Sequence, residues 1–435
     1  MTSHRARNAA DLSRLAQRKP SIDEELLDSP SDEPFAEAVV DLSAIGHNVE
    51  TIAGQTSAAV MAVVKADAFG HGLLPVARTA LASGATWLGV TSASEALTLR
   101  AAGVDAPTLT WLHRPDEDFG PLIVADVDVS ASSVAHLRGI AASAARSRAA
   151  RPANVHLKVD SGMSRNGAMP SEWPALVTAA AEFEREGWLR VRGIWTHLAT
   201  ADEPRRPEAT RQLSSFDDAL KTAGAAGLAP DLRHVANSAA TLAIPESHYD
   251  LVRVGIACYG VEPVSGRTYG LRPAMTLSAR AILVKRVPAG TGVSYGLDYT
   301  TRRASTLALV PLGYADGVPR NVTPDARVWM GGQRHRIAGR ISMDQFVVDV
   351  GNTRVDMGDE IVLFGPGDRG EPTASHWAQW ADTNPHEILT RVGPRVARRY
   401  VNADPPIGGR QSEAIAAVDP MNGNEPTTDR ESAHG

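Results

Sequence analysis

Residues 62–72 read A-V-V-K-A-D-A-F-G-H-G. A short β-branched run ends directly in Lys65, a residue type seldom placed at the end of a buried strand unless it has a partner or a task. The arrangement recurs through the first half of the chain. Between Val39 and about Gly260 the runs V-M-A-V-V, W-L-G-V, T-L-T-W-L, V-D-V-S, V-H-L-K-V, V-R-G-I-W, L-R-H-V and L-V-R-V-G alternate with Ala-rich stretches of helical period, such as E-A-L-T-L-R-A-A. Eight strands with intervening helices predict a (β/α)8 TIM-like barrel of the α/β class.

After Gly260 the helical stretches fade. Alternating runs such as L-S-A-R-A-I-L-V-K-R-V, S-T-L-A-L-V and Q-F-V-V-D-V, bounded by G-D, G-G and P-G turns, predict a mainly β C-terminal domain, with one helix returning near residues 374–381. Both ends of the chain are polar and Pro- or Gly-rich, as in D-S-P-S-D-E-P at 28–34. The expected organisation is a disordered tail over 1–36, a barrel over 37–266, a β-rich domain over 267–403 and a second disordered tail over 404–435.

Composition narrows the function classes. With 44 Lys+Arg against 50 Asp+Glu, the net charge of -6 argues against nucleic acid or an anionic membrane as the main partner. No apolar run is long enough to span a bilayer, and residues 1–27 lack the apolar core of a signal peptide. Cys258, the single cysteine, forms no internal disulfide and suits a reducing compartment. The expectation is a cytoplasmic protein.

A barrel gathers its chemistry at the C-terminal ends of its strands. Lys65 follows the first of them, Lys158 and Asp160 end the fifth, His197 the sixth, His234 and Asn237 the seventh, and Arg253 lies in the eighth. Snorkelling or capping accounts for any one of these, but packing does not account for the set. A lysine on a rigid strand end can be driven to a lowered pKa and form a Schiff base. No Ser-His-Asp spacing, P-loop or zincin motif competes with it, and the absence of H-x-H or H-E-x-x-H from the barrel half argues against a metal. Backbone N–H groups at residues 238–240 and at Gly255 and Ile256 stand where barrels hold phosphate. A Schiff-base lysine with a phosphate cradle points to pyridoxal 5'-phosphate.

The stretch around Lys65, together with H-L-K-V-D-S-G-M-S-R-N-G, T-H-L-A-T-A-D, H-V-A-N-S-A-A, V-R-V-G-I-A-C-Y-G, V-S-Y-G, G-Y-A-D-G and G-R-I-S-M-D-Q, resembles the motifs of bacterial alanine racemases, in their order, from about Ala36 to Tyr400. The resemblance implies pyridoxal phosphate carried on Lys65, which acts as base on one face of the substrate. Tyr295 would be the base on the other face, reaching in from the partner of a homodimer. It further implies Arg253 at the pyridine nitrogen, His197 bridging Tyr295 and Arg253, and Arg165 on the ring oxygen and the substrate carboxylate. Ser238, Gly255 and Ile256 would cradle the phosphate. Tyr314, Met343 and Asp344 would close a small substrate entrance, and Lys158 matches a lysine that carries a carbamate in relatives. The implied activity is interconversion of L- and D-alanine, supplying the D-isomer for peptidoglycan.

Two positions depart from the family pattern, each a tyrosine in many members: Phe69 in the phosphate site, and Pro394 in T-R-V-G-P-R-V. Each lost hydroxyl removes a donor to a charged group, worth roughly 1.5–3 kcal/mol. The competing functions are a non-catalytic pyridoxal phosphate carrier, which lacks the β domain and Tyr295; a basic amino acid decarboxylase, which places an acid where Arg253 stands; and a broader-specificity racemase, often exported.

Overall fold

The computed structural model describes residues 34–147, 151–203 and 205–403; residues 1–33 of the expected N-terminal tail and all of the C-terminal one lie outside them. The chain begins with β1 (Ala36–Asp41), and then runs through β2 (Ala59–Val63), β3 (Trp87–Val90), β4 (Thr108–Thr110), β5 (Asp128–Ala131), β6 (Ala153–Lys158), β7 (Leu189–Trp195), β8 (Leu232–His234) and β9 (Leu251–Val254). Strands β2 to β9 form one parallel sheet in the order β8-β7-β6-β5-β4-β3-β2-β9. Its two ends meet through the N–H groups of Asp250 and Arg253, which donate to the carbonyls of Arg233 and Ala236 at 3.0 and 2.9 Å, so the row curves round into a barrel.

Covered on one side by helices and filled on the other by side chains, the strands are buried without alternation: all four residues of β3, β5 and β9 are inside. Several of the helices between them are capped by side chains. Ser92 and Glu95 form a capping box on Ala93–Ala101, and the Ser133 and Asn237 side chains accept from the N–H groups of His136 and Ala240.

The second half adds β10 (Met275–Arg280), β11 (Leu283–Val287), β12 (Gly292–Val293), β13 (Tyr299–Thr300), β14 (Ser305–Val310), β15 (Arg327–Met330), β16 (Gln333–Ile337), β17 (Phe346–Gly351), β18 (Glu360–Phe364) and β19 (Ala397–Val401). The helix expected near 374–381 spans Ala374–Trp380, and a second follows at Pro385–Thr390. The large sheet has the order β11-β14-β17-β16-β15-β18-β10-β1-β19, and β12 pairs only with β13.

The position of β1 corrects the expected boundary at residue 37. It pairs antiparallel with β10 and parallel with β19, and Glu37 binds the Arg399 guanidinium at 2.7 Å. The reason lies in its pattern. In A-E-A-V-V-D only Ala38 and Val40 point inward, the period of a one-sided sheet, unlike the continuous burial of a barrel strand. The chain therefore starts in the β domain and builds the barrel, then returns.

Candidate active site

The turn after β2 is the most unusual backbone in the protein. Ala66, Asp67, Ala68 and Phe69 all adopt the left-handed conformation, with φ between 51° and 54°, before Gly70 at 80° and Gly72 at 97°. Left-handed geometry costs about 1–2 kcal/mol per non-glycine residue, so the surroundings must hold this turn in place. They do so from three sides. The Ala66 N–H donates to Glu95 at 2.6 Å, the Leu73 N–H to Asp67 at 2.7 Å, and the Arg398 guanidinium binds the Gly70 carbonyl at 3.1 Å. Arg398 also reaches the Val392, Gly393 and Val396 carbonyls, which ties the C-terminal segment to the turn.

The strained turn presents Lys65 at the barrel mouth. Lys65 has no hydrogen-bond or ion-pair partner among the described residues, and desolvation followed by the nearby Arg165 charge lowers its pKa. Lys158 is buried at the end of β6, its ammonium 4.1 Å from the ring centre of Trp195. Burial, then Arg253 and Arg165, bring its pKa down to about 7. Asp160 spends one oxygen on the N–H groups of Gly162, Met163 and Ser164, which shapes the loop that carries Arg165. Arg165 itself has no hydrogen-bond or ion-pair partner among the described residues. Four cations thus crowd one mouth with little to balance them, so the site is built for anions.

Arg253 is the best-anchored of the four. Its guanidinium donates to the Thr196 and Val235 carbonyls at 2.9 and 3.1 Å, and lies 3.3 Å from Nδ1 of both His234 and His197. Behind it runs a buried relay: His234 Nε2 lies 2.8 Å from His156 Nδ1, and His156 Nε2 lies 2.9 Å from Asp128. Arg192 binds the other oxygen of Asp128 at 3.1 Å. Because arginine only donates and a carboxylate only accepts, the relay runs in one direction, with each imidazole accepting a hydrogen bond from the Arg253 side and donating one towards Asp128. The same rule applied to His197 puts its proton on Nε2, with Nδ1 accepting from Arg253. Burial and the cations hold its pKa well below the ordinary value, consistent with a neutral ring.

At the opposite rim the Ser238 hydroxyl accepts from the N–H groups of Gly255 and Ala257 at 2.9 and 3.3 Å, so its own proton remains to be given outward. Ile256 opens a 3-10 turn, where the first N–H groups have no partner within the turn. Phe69 is buried against this rim: a Cβ on Gly255 would lie 3.2 Å from the tip of its ring. Lys65, Phe69, Lys158, Arg165, His197, Ser238, Arg253, Gly255 and Ile256 therefore all belong to the barrel mouth.

The remaining sequence candidates do not join them within this chain. Tyr295 is 69% exposed on the 3-10 turn that links β12 and β13, and Met343 is 52% exposed. The Tyr314 and Ala315 N–H groups donate to the Ser342 and Met343 carbonyls, and Arg395 binds both Asp316 and Asp344, so Tyr314, Met343 and Asp344 form one surface of the β domain. Some contributors were not singled out from sequence at all. Trp195 read only as the end of an apolar strand, yet its ring stacks on His234 at 5.5 Å and carries both Lys158 and Arg253. Glu95, part of a helical stretch in the sequence, caps that helix and also anchors Ala66. Among the described residues there is no cluster of three or more His, Cys, Asp or Glu arranged to hold a metal, and no helix is long and apolar enough to cross a membrane.

Residues 40–263 match the model of the alanine racemase N-terminal domain, and residues 274–400 that of its C-terminal domain. The chain belongs to the alanine racemase family. It is 54% identical to the alanine racemase of Frankia casuarinae, over 84% of this chain and 96% of that protein, and 52% identical to that of Thermobifida fusca, over 85% and 99%. Among solved structures it is similar to the alanine racemase of a D-cycloserine-producing Streptomyces lavendulae, with a TM-score of 0.83 and 47% identity over 86% of this chain and 98% of that one. The family is one of isomerases that interconvert the enantiomers of alanine, and that activity and the barrel-plus-β fold apply to this chain.

Proposed function

We propose that the barrel mouth holds pyridoxal 5'-phosphate on Lys65 and racemises alanine with two bases, Lys65 and the Tyr295 of a second copy of the chain. The observation that carries this reading is the unpartnered Lys65 amine, with its lowered pKa, set among cations on a turn strained into position. The donor set suits the cofactor: Ser238 O–H and the Ile256 N–H for a phosphate, with Phe69 as an apolar wall beside Gly255. When bound, the cofactor acidifies the substrate Cα–H by drawing electron density into its ring.

The chain's own residues do the rest. Lys65, whose pKa is lowered by desolvation and then by Arg165, takes or returns the Cα proton on one face. Tyr295 serves the other, since one base returning its proton to the same face changes nothing. His197, with its proton on Nε2, has a donor free to hold the tyrosine oxygen once that residue arrives. Arg253, anchored by carbonyls and a relay ending at Asp128, would stay charged beside the pyridine nitrogen and would not give it a full proton. A weaker electron sink favours plain proton exchange over side reactions. Arg165 offers its fork of donors to the substrate carboxylate. Lys158, with a pKa of about 7, has the unprotonated amine that carbamate formation requires, and the resulting anion would balance Arg165.

Tyr314, Met343 and Asp344 would narrow the entrance from the partner, leaving room for a methyl side chain. The product would feed peptidoglycan synthesis in the cytoplasm. Solvent-deuterium exchange tests the scheme. The unaltered enzyme should exchange the Cα hydrogen of both enantiomers, whereas Tyr295→Phe should keep exchange for one enantiomer and lose inversion. Full-speed inversion by Tyr295→Phe would defeat the two-base reading.

A further inference from the structure

We infer that the imidazole of His386 is a ligand of the cofactor phosphate, supplying a donor that the wall of the cradle lacks; this rests on the reading of pyridoxal phosphate as the cofactor. A phosphate presents three strong acceptor oxygens. The rim offers it few donors. The Gly255 N–H is already given to Ser238, so Ser238 contributes only its own proton beside the Ile256 N–H. Phe69 has no polar atom to give, and the neighbouring Tyr259, whose ring centre lies 4.6 Å from that of Phe69, spends its hydroxyl on the Val63 carbonyl at 3.0 Å. Pro394 has neither a hydroxyl nor an N–H, and the Tyr400 hydroxyl lies against Gly72, where it would stand 1.9 Å from an added Cβ.

His386 stands beside this gap. Its ring centre is 5.9 Å from that of Phe69, at an interplanar angle of 43°, and its side chain makes no hydrogen bond or ion pair with any described residue. The ring is open to solvent, and the Lys65 charge lies close enough to add to desolvation in lowering its pKa. Its position is fixed by the backbone. Asn384 caps the Pro385–Thr390 helix by accepting from the Glu387 N–H at 3.0 Å. The Leu389 carbonyl lies so close to the Lys65 turn that a Cβ on Gly70 would meet it at 2.7 Å. Arg398 then fastens the following segment to the same turn. The β domain thus delivers one unspent imidazole to the barrel's cofactor rim.

The test is a cofactor titration of the full chain after removal of bound cofactor, using pyridoxal 5'-phosphate and, in parallel, pyridoxal, which lacks the phosphate. Three proteins are compared: unaltered, His386→Phe, which keeps a ring against Phe69 but removes both nitrogens, and His386→Asn, which keeps a donor. His386→Phe should weaken pyridoxal phosphate by about tenfold or more while leaving pyridoxal unchanged. His386→Asn should recover most of that loss. The phosphorus resonance of the bound cofactor should move in His386→Phe and return towards its original position in His386→Asn. An unchanged dissociation constant, or an equal loss for both ligands, overturns the proposal. If the unaltered chain binds neither ligand, the cofactor reading itself fails, and that outcome is distinct because it needs no variant.

Discussion

The barrel mouth and the Tyr295 face of the β domain are both left unfinished by a single chain, but in opposite ways. At the mouth Lys65, Lys158, Arg165 and Arg253 are drawn together faster than anions are supplied, so the deficit is electrostatic. On the β domain Tyr295, Leu297 and Met343 are 69%, 62% and 52% exposed while the backbone beneath them is well bonded, so the deficit is one of cover. At the mouth Lys158 and Arg253 are buried, and Lys65 and Arg165 have no anionic partner among the described residues, as suits a site that waits for small charged ligands. A surface that waits for another protein leaves its apolar and aromatic side chains outside. Two such complementary deficits suit a catalytic unit made of two chains.

The sharpest way to break that comparison is to mix variants. Lys65→Ala and Tyr295→Phe should each lower activity by about 10²–10⁴-fold when pure. Exchanged into mixed dimers they should regain part of it, because one of the two shared sites is then intact. No recovery after verified subunit exchange would place both bases in one chain.

Lys158 sharpens the electrostatic half. Its folded pKa of about 7 lies below the ordinary 10.5, so the unfolded chain binds more protons between those values. The stability contributed by this group therefore rises with pH across that window, and its penalty is full below about pH 7. Lys158→Met, measured by denaturant melts without cofactor, should stabilise the protein by about 2 kcal/mol at pH 6. The gain should shrink towards pH 10, and a pH-independent gain would mean that neither burial nor the neighbouring cations perturb the Lys158 amine.

Phe69→Tyr places a hydroxyl next to Gly255 and should tighten cofactor retention by about tenfold in dialysis. An unchanged dissociation constant would mean the rim is already saturated with donors. The smallest effect is expected from Arg395→Ala, which unties Asp316 from Asp344 on the exposed face. A several-fold rise in KM with little change in kcat should follow, since the entrance loosens while the bases stay put.

Much of this was written in the residue order. Continuous apolar runs ending in Lys65, Lys158 and His197 announced buried parallel strands with polar tips, since both faces of a barrel strand are covered and only its end meets solvent. The left-handed turn was not legible, because A-D-A-F carries none of the glycines that such a backbone usually demands and is held there by Glu95 and Arg398, distant in sequence. Trp195 hid among apolar neighbours for a related reason: its role is set by which side chains stack on it.

By itself, then, the order of residues determined the alternation of strands and helices, the change to one-sided strands after the barrel, and the identity of the chemical groups, since these follow from local periodicity and side-chain type. Tertiary structure alone decided that β1 joins the far end of the sheet and that four cations share one mouth. It also set His386 beside Phe69 at the barrel mouth. Each of these depends on pairings between segments far apart in the chain, and no local pattern encodes which of several suitable edges or faces will meet.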